Sequence, residues 1–158
     1  AYSDYLKQST QKLPLLIADL KGDVIDQILE EENIREIKSY IHAPGYIANT
    51  DLAALYCGAF AFLYPSLRES FGIPMLEAMA CGTPIIAGNT SAMPEIAGEG
   101  ALLADPFNSN DITKKILQLE NDQTLYQQQV EYGIQRSQLF SWRNTAESLL
   151  KIYKEFAK

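Results

Sequence analysis

Two glutamates in the segment "RESFGIPMLEAMACGTP", residues 68–84, have the type and spacing to take part in binding or catalysis. Glu69 comes directly before a Phe-Gly-Ile-Pro turn, and Glu77 lies further along in a run of Met, Leu and Ala. A carboxylate beside a bound anion can accept hydrogen bonds from hydroxyl groups or stabilise positive charge that develops in a reaction. The segment is therefore the first candidate for a functional site.

The turn between the two glutamates is predicted to form an anion site. A helix is predicted from Pro74 to Cys81, because proline suits a first helical turn while Gly82 and Pro84 mark an end. The turn follows a strand candidate, and ligands bind at the carboxyl edge of the strands in doubly wound sheets. Free amides and the helix dipole favour phosphate at such a position. These amides belong to Ser70, Phe71, Gly72 and Ile73, and Gly72 would let a ligand approach the backbone closely.

Each glutamate also has an interpretation that involves no function. The rest of the predicted helix is apolar on every side, so we expect it to be buried and Glu77 to need a partner. Glu77 could instead fold back and cap amides of the first turn. Glu69 could be a solvated acid paired with Arg68, and Arg68 itself could contact phosphate or remain an exposed loop residue.

Five short apolar runs bounded by turn residues are interpreted as buried strands. They alternate with amphipathic or apolar stretches at 24–32, 51–58 and 74–80, which is typical of a parallel sheet with helices on both faces. The runs are "LPLLIA" (13–18), "KSYIHA" (38–43), "AFAFLYP" (59–65), "PIIAG" (84–88) and "ALLA" (101–104). The fold class is therefore α/β with a parallel sheet.

The chain is predicted to end in three surface helices, because apolar residues recur at three- and four-residue spacing after Asp105-Pro106. Trp142 is expected to anchor the start of the last helix by packing. No internal repeat or linker divides residues 1–158, so one domain is expected. The expected N-caps of the three helices are Asn110 or Asp111, then Asp122, then Ser141.

Composition excludes several classes of protein. The chain has 158 residues, 47% hydrophobic and 21% charged, and its net charge of −7 argues against general nucleic-acid binding. No apolar run approaches the ~20 residues of a membrane span. Cys57 and Cys81 lie in predicted helices and are expected to pack as small hydrophobes, and His42 is expected to be structural. We expect no metal and a reducing, cytoplasmic setting.

The E-x7-E pattern of Glu69 and Glu77 is followed by "AMACGTPIIAGNTSAMPEIAGEGALLADP", and the whole segment resembles the C-terminal domain of retaining glycosyltransferases of family 4, group 1. The similarity extends from about residue 13 to residue 153 and includes "GYIANTDLAALYCGAFAFLYPS" and "FSWRNTAESLLKIY". It implies one Rossmann-like nucleotide-sugar-binding domain, which is the C-terminal half of a two-domain GT-B fold.

The resemblance also implies roles for individual residues. Glu69 would contact the donor sugar near the anomeric centre and Glu77 would bind the ribose hydroxyls. The amides of Phe71, Gly72 and Ile73 would contact sugar and diphosphate. Gly45, Tyr46 and Ile47 would hold the base largely through backbone atoms, with the Tyr46 ring either stacking on the base or packing against the protein. The loop before Pro94-Glu95 would face the cleft unless it is a simple helix start.

The activity that the resemblance implies is hexosyl transfer from a UDP- or GDP-sugar to an acceptor hydroxyl with retention of configuration, without a metal. The segment "NTSAMPEIAGEGALLADP" is most similar to mannosyl- and rhamnosyl-type members, which favours GDP-mannose over a UDP-sugar. Relatives often act on lipid-linked or polysaccharide acceptors at the cytoplasmic face of the membrane, so peripheral association of the intact enzyme is an expectation.

The sequence departs from the family pattern in two places. In relatives, a strand with a "VGR…K" segment precedes the helix that "AYSDYLKQSTQ" resembles, and an N-terminal domain binds the acceptor; we expect both to be missing from these residues. The sheet should then have five strands with a gap that either closes or leaves an edge for another chain. In addition, Asp19 puts a negative charge near the expected phosphate, which Lys21 could partly offset.

Two alternative functions follow from the same residues. The chain could be a non-catalytic module that binds nucleotide sugars, since the cationic strand and the acceptor domain are not expected within it. It could also be a flavodoxin-like interaction domain, although that class requires acidic residues at strand ends and does not explain Glu77 in an apolar helix.

Overall fold

The computed structural model describes residues 1–157, which form five short strands, eight α-helices and one 3₁₀-helix. The strands are β1 (Leu15–Ala18), β2 (Ile41–Gly45), β3 (Phe62–Tyr64), β4 (Ile85–Gly88) and β5 (Leu102–Ala104). The helices are α1 (Tyr2–Gln8), α2 (Gly22–Glu31), α3 (Asn49–Gly58), α4 (Ile73–Ala80), α5 (Met93–Ala97), α6 (Ser109–Asn121), α7 (Gln123–Ser137) and α8 (Trp142–Phe156). The predicted α/β fold class is confirmed.

All five predicted strands form, but the second begins later than expected. The prediction covered residues 38–43, whereas β2 is Ile41–Gly45 because Arg35–Tyr40 makes a 3₁₀-helix. That helix buries the apolar Ile37, which lies just before the predicted run, and its last three residues, 38–40, are the ones wrongly predicted as strand. The third run, predicted over 59–65, contributes only three residues to β3.

The five strands are parallel and make two separate ladders within the described residues. One ladder is β1-β2 and the other is β3-β4-β5. The predicted interruption of the sheet is therefore present, and the two ladders do not close into one continuous sheet. The pairing of an exposed edge with another chain stays a prediction.

The core lies on both faces of β4, where alternate side chains point to opposite sides of the sheet. Ile86 belongs to a cluster with residues of α1, α2 and α6, and Leu63 of β3 packs against the same cluster. Ile85 and Ala87 belong to a second cluster with α4 and α5. A strand buried on both faces is typical of a parallel sheet covered by helices.

The three C-terminal helices form as predicted, with two corrections. Asp122 and Ser141 cap α7 and α8, but the cap of α6 is Asn108, whose side chain accepts from the amides of Asn110 and Asp111. The anchor role predicted for Trp142 is wrong, because its side chain is 82% exposed and α8 has no buried residue. None of the side chains of α8 is therefore part of the described core.

Candidate functional site

The β3–α4 loop, residues 65–72, leads into α4 at the carboxyl end of β3. Gly72 adopts a left-handed conformation with φ of 94°, which glycine permits without a steric penalty, and Pro74 follows in the first turn. A Cβ on Gly72 would point toward Met75, Tyr64 and Met93 at distances of 3.6–3.8 Å. The positive φ thus requires glycine for the turn, and the close approach of a ligand to the Gly72 backbone stays a prediction.

Four amides at the start of α4 have no protein acceptor in the part of the chain that the structure describes. They belong to Ser70, Phe71, Gly72 and Ile73. Pro74 has no amide hydrogen, and the amide of the following residue, Met75, donates to the Gly72 carbonyl at 3.1 Å. An eight-residue helix with unpaired amides at its N-terminus carries partial positive charge there. The predicted anion-binding arrangement is therefore possible in this loop.

Glu69 is half-buried in the same loop, and its neighbours orient the carboxylate. The Ser66 hydroxyl donates to Oε1 of Glu69 at 3.1 Å. Burial and, to a smaller extent, a hydrogen bond to Glu69 raise the pKa of Tyr64 to about 12. Arg68 is exposed and makes no ion pair with Glu69 among residues 1–157. The alternative that Glu69 is merely paired with Arg68 thus has no support here.

Glu77 lies on the exposed face of α4, together with Ile73 and Ala80. The opposite face is buried through Met75 and Met79, so the prediction of a helix buried on every side is wrong. The spacing 73, 77, 80 makes one helical face, and an exposed carboxylate on it needs no protein partner. The capping alternative is also wrong, since over residues 1–157 no side chain, Glu77 included, accepts a hydrogen bond from the amides at the N-terminus of α4.

An aromatic row connects the surroundings of the two glutamates. Tyr56 packs edge-on against Phe62, with ring centroids 5.2 Å apart, and Phe62 stacks on Tyr64 at 5.5 Å. Burial raises the pKa of the Tyr56 hydroxyl, and the nearby charge of Glu77 raises it further. Each glutamate therefore has a neutral tyrosine beside it. Sequence reasoning missed both tyrosines, although Tyr64 was recognisable as the last residue of the strand before the loop.

Phe71 is held by residues that are distant in sequence and were not predicted. Its ring packs edge-on against Phe140, with centroids 5.8 Å apart, and the Arg136 guanidinium lies 5.0 Å from the Phe140 ring centroid. Arg136 also donates to the carbonyl of Ile96 at 2.8 Å and to that of Glu95. The end of α7 therefore connects the β3–α4 loop to the C-terminal end of α5.

The predicted base-binding segment lies at the end of β2. Gly45 has φ of 81°, Ile47 is half-buried, and Tyr46 is 80% exposed and so does not pack against the protein. Asp19 follows β1 with φ of 61° and donates its amide to the Gly45 carbonyl at 2.9 Å. Asp19 thus lies beside this segment, at the carboxyl edge of the β1-β2 ladder.

The remaining candidates lie outside these clusters. His42 is exposed on β2, Cys81 is half-buried at the end of α4, and Cys57 is exposed, so the packing role predicted for Cys57 is wrong. Across residues 1–157, no group of three or more His, Cys, Asp or Glu side chains is arranged to hold a metal ion. None of the helices in this range has the length and apolar character to cross a membrane.

Comparison with sequence families and curated proteins gives a consistent result. A family model described as glycosyl transferases group 1 matches residues 1–136. The O-antigen chain mannosyltransferase B of Escherichia coli is 34% identical over 157 residues, which cover 98% of this chain and 40% of that protein. The MMP alpha-(1->4)-mannosyltransferase of Mycolicibacterium hassiacum is 31% identical over 134 residues, covering 82% of this chain and 32% of that protein.

Solved structures share the fold. Sucrose-phosphate synthase from Thermosynechococcus elongatus matches with a TM-score of 0.76 and 25% identity over 98% of this chain and 42% of that one. Anabaena HepE, crystallised with UDP, matches with a TM-score of 0.84 and 19% identity over 98% of this chain and 44% of that one. The chain therefore spans about two fifths of the length of these proteins.

Proposed function

The chain belongs to the group 1 glycosyl transferases, and from that membership we propose that it binds the nucleotide-sugar donor of a retaining hexosyltransferase. The observation that carries the proposal is the arrangement of one loop and one helix: a half-buried Glu69, unpaired amides over residues 70–73, and an exposed Glu77 on one face of α4. In this proposal the three features, taken in chain order, contact the sugar, the diphosphate and the ribose of the donor.

Each feature suits one part of the donor. The unpaired amides of Phe71, Gly72 and Ile73 can donate to diphosphate oxygens, which the helix dipole also favours. Glu77 can accept hydrogen bonds from two adjacent ribose hydroxyls, because a carboxylate has two acceptor oxygens. Glu69, oriented by the Ser66 hydroxyl, can contact the sugar near its anomeric carbon. Exposed Arg68 is a further cationic side chain beside the diphosphate.

The proposed chemistry breaks the bond between the anomeric carbon and the diphosphate oxygen. The acceptor oxygen bonds to the same carbon on the same face, and its proton passes to the departing diphosphate. The sugar carries positive charge in the transition state, which the Glu69 carboxylate would stabilise, while the amides would stabilise the diphosphate charge. Preorganised dipoles of this kind are often the largest single contribution to catalysis. No metal is required in this proposal.

A mannosyl donor is the specific candidate. Relatives that cover most of this chain at 31–34% identity are named mannosyltransferases. Their names support mannose as the transferred sugar, and the segment at residues 89–106 favours GDP as its carrier, whereas HepE, crystallised with UDP, matches this chain only in fold. The exposed Tyr46 ring, at the end of β2, is available to stack on the base.

The acceptor is proposed to bind outside these residues, in a second domain of the same enzyme. The chain covers 40% of the E. coli relative, which leaves room for such a domain in a protein of that length. The acceptor would be a glycan hydroxyl at the cytoplasmic side of the membrane, reached by peripheral association. The non-catalytic alternative shares the donor site and differs only in the absence of transfer.

Binding of nucleotides to the chain tests the proposal. We expect GDP and GDP-mannose to bind in isothermal titration calorimetry, and Glu77→Ala to weaken both by about 10- to 100-fold, because hydrogen bonds to a charged group contribute about 1.5–3 kcal/mol. Glu31→Ala, which removes an exposed carboxylate at the end of α2, is the matched control and should bind as the wild type does.

Three outcomes would contradict parts of the proposal. Absence of binding by GDP, UDP and their sugars would overturn the donor site as a whole. Unchanged affinity of Glu77→Ala would overturn the ribose assignment. Tighter binding of UDP and UDP-glucose than of GDP and GDP-mannose would overturn the mannosyl donor while leaving the site intact.

A further inference from the structure

The backbone of Glu69 is held by a side chain from the neighbouring loop. The Ser91 hydroxyl donates to the Glu69 carbonyl at 2.6 Å and accepts from the Glu69 amide at 3.3 Å. One hydroxyl therefore satisfies both backbone polar groups of this residue. Ser91 lies in the β4–α5 loop, residues 89–92, at the carboxyl end of the strand next to β3.

Two more residues at the end of β4 contact the same loop. The Thr90 hydroxyl lies 3.1 Å from the Leu67 carbonyl and 3.3 Å from the Ser66 carbonyl, so it can donate to either. Gly88 allows a close approach, since a Cβ there would lie 2.6 Å from the Ser66 oxygen. Residues of the neighbouring strand end and loop therefore contact the loop that carries Glu69 at three of its residues, Ser66, Leu67 and Glu69.

Ser91 holds this position in an unfavourable backbone conformation. Its φ is 56°, in the left-handed region that serine rarely adopts. Residues in this conformation persist only where the surrounding structure fixes them, and they are concentrated at functional sites. Among residues 1–157, the Ser91 hydroxyl makes its only hydrogen bonds with the backbone of Glu69. Ser91 is itself exposed, so burial of its side chain does not account for the conformation.

We propose that Ser91 is a positioning residue for Glu69, which fixes the glutamate backbone so that its carboxylate meets the sugar of the donor. The inference rests on the proposed function. Ser66 orients the carboxylate and Ser91 orients the backbone, so the two serines determine where the acid lies. Small displacements of a reacting group have large effects, because a shift of about 1 Å can cost about 100-fold in rate.

Two substitutions separate positioning from backbone strain. Ser91→Ala removes the hydroxyl and keeps the unfavourable φ, whereas Ser91→Gly removes the hydroxyl and relieves the strain. Ser137→Ala is the matched control, because that hydroxyl donates only to the Ile134 carbonyl within α7. The free energy of unfolding, measured with urea for each variant, reports any loss of stability.

The affinity of each variant for GDP and for GDP-mannose, measured by calorimetry, then tests the positioning role. We expect both Ser91 variants to bind GDP-mannose about tenfold more weakly than the wild type, while GDP binds unchanged because it lacks the sugar. Ser137→Ala should bind both as the wild type does. If the role of Ser91 is only structural, its variants should lose affinity for GDP and GDP-mannose equally, or Ser91→Gly should bind both as the wild type does. Either result would overturn the inference.

The outcome also distinguishes this inference from the proposed function. If the wild-type chain binds GDP-mannose and both Ser91 variants bind it equally well, the positioning role is overturned and the donor site stands. If the wild-type chain binds neither nucleotide, the donor site is overturned, and the positioning role is overturned with it.

Discussion

Gly88 shows how a single hydrogen atom in place of a side chain determines the shape of the candidate site. The carbonyl oxygen of Ser66 occupies the space that a Cβ at position 88 would need, with a separation of only 2.6 Å. Real Cβ atoms do not approach a backbone oxygen so closely, so any larger residue must displace the β3–α4 loop. The glycine therefore belongs to the site although it has no polar group of its own.

The first prediction concerns Gly88→Ala. We expect a loss of about 1–3 kcal/mol in the free energy of unfolding, which is typical of overpacking, together with weaker binding of GDP-mannose, because Ser66 and Glu69 move together. Gly58→Ala is the matched control, since nothing lies within 4 Å of a Cβ at that helical position. Urea denaturation and calorimetry measure the two effects. Wild-type stability of Gly88→Ala would contradict the packing argument.

At the level of single residues, the sequence predicted the local geometry of the candidate site better than the environments of its residues. Glu69, Glu77 and the amide turn were recognisable from spacing, because a strand, a turn and a proline-started helix have local signals. The exposure of Glu77 depends on which face of α4 packs on α7, which is a tertiary property. Ser91 had no local signal at all, since its role depends on the adjacency of β3 and β4.

Besides the apolar core, a few polar contacts join neighbouring helices and strands. The contact between the end of α1 and α6 is the clearest example. The Ser9 hydroxyl lies 2.8 Å from both carboxylate oxygens of Glu120, and the Gln11 amide donates to Oε1 at 3.4 Å. Burial alone would raise the pKa of Glu120, but hydrogen bonds from Tyr5, Ser9 and the amides of Gln11 and Thr10 outweigh it and lower the pKa below 4.5.

The second prediction follows from the sign of that shift. A carboxylate with a lowered pKa in the folded state stabilises the protein above its unfolded-state value, and this stabilisation is lost as the pH falls through the folded value. We expect Glu120→Gln to have a lower Tm than the wild type at pH 7, and the difference to shrink below about pH 4.5. Thermal melts between about pH 3 and pH 7 measure it.

Glu36→Gln is the control for the second prediction, because Glu36 is exposed on the 3₁₀-helix. Its Tm should follow that of the wild type across the whole range. If the Tm difference between Glu120→Gln and the wild type stays constant with pH, the stabilising contact does not depend on the charge of Glu120.

Whole elements were predicted where their own residues determine them. The strands and the three C-terminal helices follow from hydrophobic spacing, and Asp122 and Ser141 cap helices as expected. The failures have a common cause. Trp142 and Cys57 were predicted to pack because they are apolar, and hydrophobicity alone does not reveal whether such a residue is buried or meets solvent. Burial of an apolar side chain depends on the surface that packs against it, and the neighbouring residues in the sequence do not determine that surface.

At the scale of the whole molecule, the two ladders pack on a common core, and no backbone hydrogen bond joins them within residues 1–157. β3 pairs with β4 on one side, where the Phe62 amide donates to the Pro84 carbonyl at 2.9 Å. In a parallel ladder alternate residues bond to opposite neighbours, so the backbone of Leu63 points to the other side of β3. Within residues 1–157 no strand lies on that side.

The third prediction tests this interruption directly. We expect the Leu63 amide to exchange with deuterium far faster than the Phe62 amide, because only the latter is hydrogen-bonded in the ladder, although Leu63 packs against the core. Exchange measured by NMR on the chain resolves the two adjacent amides, and the Ile86 amide in central β4 serves as the protected reference. Equal protection of Leu63 and Phe62 would mean that the edge of β3 is covered in solution, by a second copy or by closure of the ladders. Dilution then separates these cases, since protection by a second copy must fall as the protein concentration falls and closure within one chain must not.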